Sequence, residues 1–83
     1  MSAKALIMPF IKKARKFNEK TDQKEICRLL GEVADAKIWH SSHSVLLGNL
    51  QCSLSNAYSA LVNKKDGWEK QLYSDLDEIT KSI

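Results

Sequence analysis

The stretch Trp68-Glu69-Lys70-Gln71-Leu72-Tyr73-Ser74-Asp75-Leu76-Asp77-Glu78-Ile79-Thr80-Lys81-Ser82-Ile83 decides the fold. Trp68, Leu72, Leu76, Ile79 and Ile83 follow one another at spacings of four, four, three and four. A helix turns about 100° per residue, so these side chains stack into one stripe; a strand would scatter them over both faces. Acids at Glu69, Asp75, Asp77 and Glu78 cluster along the same stretch, with Lys81 near the C-terminal end, where the helix dipole favours a cation. Asp66 and Glu69, three apart at its start, read as a capping box.

Upstream, residues 45–63 carry Leu47, Leu50, Leu54, Ala57, Tyr58 and Leu61 at helical spacing, widened by Leu46 and Val62. Residues 41–63 hold no formal charge, so this is expected to be the most buried helix. Asn63-Lys64-Lys65 ends it. The serines of Ser41-Ser42-His43-Ser44 stand before it as candidate caps. A further helix runs through Ile26, Leu29, Leu30, Val33 and Ala36 or Lys37, its stripe continuing to Ile38 and Trp39. Asp22 and Glu25 read as its capping box. Gly31 costs propensity and could let a neighbouring helix approach.

The first segment places Leu6, Ile7, Phe10, Ile11, Ala14 and Phe17 on one side, with Lys12, Lys13, Arg15, Lys16 and Lys20 opposite. Pro9 leaves two readings: the helix begins near Met8, or residues 3–8 form a first turn set off by a bend. Four amphipathic helices with short connections predict one all-α domain over residues 1–83, an antiparallel four-helix bundle in up-down-up-down order.

Composition supports that class. The 83 residues are 43% hydrophobic and 28% charged, and 3 Gly and 1 Pro are too few for the turns of an all-β domain. A chain of this size leaves little room for a substrate pocket beside a scaffold, so binding is expected rather than catalysis. Cys27 and Cys52 are too few for a disulfide framework and read as reduced thiols on the apolar stripes. The apolar run at residues 5–11 is short, broken by Pro9 and followed by Lys12-Lys13, unlike a secretory leader. No stretch reaches about 18 apolar residues, so no membrane span is expected, and cytoplasmic residence is.

Charge is uneven. Residues 1–20 hold Lys4, Lys12, Lys13, Arg15, Lys16 and Lys20 against Glu19 alone, within a chain of net charge +3. Such a face can meet nucleic acid, an anionic membrane or an acidic partner, or simply be solvated. His40 and His43, three apart, lack the further ligands at motif spacing that a metal site needs. No nucleophile elbow, P-loop or dinucleotide fingerprint is present, so neither enzyme chemistry nor a cofactor is expected. Trp68 and Tyr58 lie on stripes and are expected in the core. Trp39 and Tyr73 are the aromatics better placed for exposed contact.

The order of elements carries a resemblance. Leu6-Ile7-Met8-Pro9-Phe10-Ile11 is followed by the leucine-bearing residues 26–33. His43-Ser44-Val45-Leu46-Leu47-Gly48-Asn49-Leu50 then leads to Leu54-Ser55-Asn56-Ala57, and Gln71-Leu72-Tyr73-Ser74-Asp75-Leu76-Asp77-Glu78-Ile79 closes the series. Over nearly the whole chain this resembles the immunity proteins of class IIa (pediocin-like) bacteriocins, the enterocin A immunity-like family. The resemblance implies a cytoplasmic four-helix bundle that protects a producer cell from its own pore-forming peptide. Its partner would be the bacteriocin-bound membrane permease of the mannose phosphotransferase system, met from the inner side, with peripheral membrane contact through the basic face. The C-terminal half would decide which peptide is resisted, and Lys64, Lys65, Lys70 and Tyr73 are the expected partner contacts. Two rivals stand beside it: a small nucleic-acid-binding or phage regulatory protein using the first helix, and, for assembly, a homodimer in place of a monomer.

Overall fold

A computed structural model describes residues 2–83. The described residues form four α-helices and no strand: α1 (Ala3–Ala14), α2 (Gln23–Trp39), α3 (Ser44–Val62) and α4 (Trp68–Lys81), with a one-turn 3-10 helix, Ser41–His43, between α2 and α3. The all-α class expected from periodicity is the one adopted.

The stripes become one core. Trp68, Leu72, Leu76 and Ile79 are buried, as the decisive stretch predicts, and meet Leu47, Leu50, Leu54 and Ala57 of α3. Ile26, Leu29 and Val33 of α2 and Leu6, Ile7, Ile11 and Ala14 of α1 complete the cluster, together with Phe17 just past α1. α3 is central, in close backbone approach to α2 and α4, whereas α1 is seated less closely. Leu46 lines one groove with Ile79 and Ser82, and Ala60 lines another with Trp68, so along this seam α3 and α4 run in opposite directions. Ser53 is the buried polar residue, and its hydroxyl donates to the Asn49 carbonyl.

Several expectations are corrected. α1 neither begins near Met8 nor bends off a first turn: it runs from Ala3 through Pro9, capped by the Ser2 hydroxyl, which accepts from the Ala5 N–H at 3.2 Å. Pro9 supplies no N–H for the carbonyl four residues back, that of Ala5, but both residues are exposed, so solvent can serve that oxygen. Cys27 and Cys52 are exposed rather than core thiols. Ile38 and Trp39 leave the α2 stripe, each 77% exposed. Tyr58 is only half-buried. No neighbouring helix makes use of Gly31, since a Cβ there would touch nothing within 4 Å.

Caps are read by half. Of the box expected at α2, Asp22 accepts from the Lys24 N–H at 2.9 Å, but among the described residues the Glu25 side chain does not reach back. Asp66 does not cap α4, whose N-cap is Gly67 at φ 80 with no side-chain bond. None of the serines caps α3; His43 precedes it, held by its N–H to the His40 carbonyl in the 3-10 turn.

Candidate functional site

The α3–α4 joint is built by a helix ending. The Lys64 N–H donates to the Leu61 carbonyl at 3.1 Å and the Lys65 N–H to the Ala60 carbonyl at 2.8 Å. This pair of bonds is the Schellman ending, which requires a left-handed residue and usually recruits glycine. Here the left-handed residue is Lys64, at φ 55. A Cβ in that region crowds the following carbonyl and costs about 1–2 kcal/mol. Gly67, also left-handed, then turns the chain into α4.

This joint brings expected contact residues together. Lys64 and Lys65 line a cleft of about 350 Å³ with Glu19, Gly67, Trp68 and Glu69. Tyr73 and Lys20 line an adjoining cleft of about 420 Å³ with Asn18, Glu19 and Glu69. Glu19 and Glu69 are shared and Asp66 lines the first cleft, so Lys64, Lys65 and Tyr73, with Lys20 of the basic segment, stand around three acids. Lys70 is exposed and lines neither cleft. Tyr73 is half-buried, and its hydroxyl donates to the Phe17 carbonyl, tying α4 to the chain just after α1. The α1–α2 loop is itself ordered by Asn18, whose N–H donates to the Thr21 hydroxyl and whose side-chain oxygen accepts from the Lys20 N–H, both at 2.8 Å.

The basic face divides. Lys13 pairs with Glu32 of α2 at 3.4 Å, and Arg15 with Asp77 of α4 at 2.8 Å. These two cations fasten the flanks of α1. Lys12 on α1, and Lys16 and Lys20 beyond its end, are exposed and make no ion pair among the described residues. Among the described residues, no three His, Cys, Asp or Glu side chains converge as metal ligands, and no helix is long and apolar enough to cross a membrane.

A third surface was outside the expected contact set except for Trp39. Ile38, Trp39 and Val45 are exposed around the α2–α3 turn. The signal for Ile38 lies in its angle: at about 100° per residue it falls far from the direction shared by Ile26, Leu29 and Val33. Compared with protein-family models, curated proteins and solved structures, the chain matches none.

Proposed function

We propose that the chain is a bacteriocin immunity protein directed at pediocin-like peptides: a helical binding module acting from the inner side of the membrane on the bacteriocin-bound mannose permease. The observation that carries this reading is Lys64. Glycine would take φ 55 without strain, yet a lysine is held there, exposed, beside Lys65. Backbone strain retained at one residue fits a side chain in use. It lies in the C-terminal half, to which the resemblance assigns peptide specificity, and the same clefts gather Lys65, Tyr73 and Lys20.

The test is protection. The protein is expressed inside a sensitive enterococcal strain, which is then challenged with a panel of pediocin-like peptides. The expected result is that one peptide loses potency while others keep it, and that Lys64→Gly with Lys65→Gln lowers protection without lowering stability. Full sensitivity to every peptide, with soluble protein present, would count against the reading. A rival reading is supported by Lys12, Lys16 and Lys20, which stand clear of the two ion pairs that hold α1. Phosphate contacts through them would give DNA binding that falls steeply with salt and weakens in Lys12→Gln and Lys16→Gln.

A further inference from the structure

The described residues expose four large apolar side chains, and three of them bracket the α2–α3 turn: Ile38 and Trp39 at 77% and Val45 at 75%. Between them run His40, Ser41, Ser42, His43 and Ser44, and no Asp, Glu, Lys or Arg occurs from Ile38 to Asn63. The nearest cation in sequence, Lys37, is laid along α3, its Nζ 3.6 Å from where a Cβ on Gly48 would stand. The turn is therefore a tip flanked by three exposed apolar side chains and free of Asp, Glu, Lys and Arg.

Area and residue type select its occupant. Three such side chains offer on the order of 400 Å², about half of the roughly 800 Å² that each partner of a stable protein pair buries. A second copy of this chain is thus poorly held by the tip alone. A lipid interface sets no such threshold. Tryptophan favours the headgroup boundary, isoleucine and valine gain by reaching the acyl chains, and the turn brings no carboxylate, lysine or arginine with it. Charge beside the tip is mixed: Asp35 stands exposed one turn before Ile38 and Trp39, and the cation that an anionic headgroup would meet comes from α1. Lys13 meets Glu32, while Lys16 and Phe17 share a cleft with Glu25 and Arg28, so the start of α1 lies toward the end of α2. That register carries Lys4 toward the tip.

We propose that the α2–α3 turn is a lipid-insertion site, placing Ile38, Trp39 and Val45 in the interface of an anionic bilayer. This rests on the exposed tip and not on the immunity reading.

The experiment mixes the full chain with vesicles of phosphatidylcholine and phosphatidylglycerol and follows tryptophan emission. Trp68 is buried in the core, so Trp39 is the indole that changes environment. A blue shift, quenching by brominated acyl chains and loss of both in Trp39→Phe are expected. Ile38→Ser with Val45→Ser lowers vesicle partition about tenfold or more, in keeping with the apolar area withdrawn. These positions are exposed, and unchanged circular dichroism confirms that each variant folds. Three results would overturn the proposal: no vesicle binding, binding without an emission change that is lost instead in Lys12→Gln with Lys16→Gln, or a dimer in light scattering that Ile38→Ser dissolves. No bacteriocin or permease is present, so this outcome and that of the protection assay are read separately.

Discussion

Lys64 and Gly67 occupy the same left-handed region, three positions apart, with opposite consequences. Lys64→Gly relieves a crowded Cβ and is expected to raise stability by about 0.5–1 kcal/mol in urea unfolding. Gly67→Ala introduces that crowding and lowers stability by about 1 kcal/mol. The lysine pair at this joint is plain in the sequence, but the strain is not, because it depends on where α3 releases its last carbonyls. The cysteines show the reverse kind of misreading. Cysteine as a residue type is usually buried, and that expectation places Cys27 and Cys52 inside. Their helical angles place them outside, each next to a buried neighbour, Ile26 and Ser53. Both thiols are expected to react with a disulfide reagent in the folded protein, with no further thiol released by denaturant.

The helices themselves were legible because each carries a stripe that buries against the others, and four residues of α4 alone place Trp68, Leu72, Leu76 and Ile79 in the core. Their ends were less so. Periodicity reports the side that faces the core, whereas a cap depends on loop geometry: Asp22 reaches the Lys24 N–H, and Asp66 gives way to Gly67. Pro9 marks the sharpest difference. An interior proline forfeits one backbone bond and crowds the preceding turn, at about 3 kcal/mol relative to alanine. Its rigidity in the unfolded chain returns about 0.4–1 kcal/mol. Pro9→Ala is therefore expected to raise the unfolding free energy by about 1–3 kcal/mol, seen as a higher melting temperature with α1 unchanged in extent.

Across the molecule, which measures 36 × 23 × 17 Å, surface chemistry depends on how the helices meet. The basic first segment was visible as a run of cations. That Lys13 and Arg15 are spent on Glu32 and Asp77, the latter 62 residues away, required the assembled bundle. The Arg15–Asp77 pair is partly exposed, and a double-mutant cycle is expected to give a coupling below about 1 kcal/mol. The α2–α3 tip was hidden for another reason: Ile38 and Trp39 read in the sequence as continuing the α2 stripe, although their helical angles turn them away from the core. The looser seat of α1 carries a last consequence. Proteins open by cooperative units, and the unit with the fewest tertiary ties opens at the lowest free energy. Amide hydrogen exchange is expected to run fastest through α1 and slowest through α3, with α2, α3 and α4 retaining protection while α1 exchanges. The helix bearing the lysines is then the one that detaches transiently, baring the apolar side of α2 without unfolding the chain.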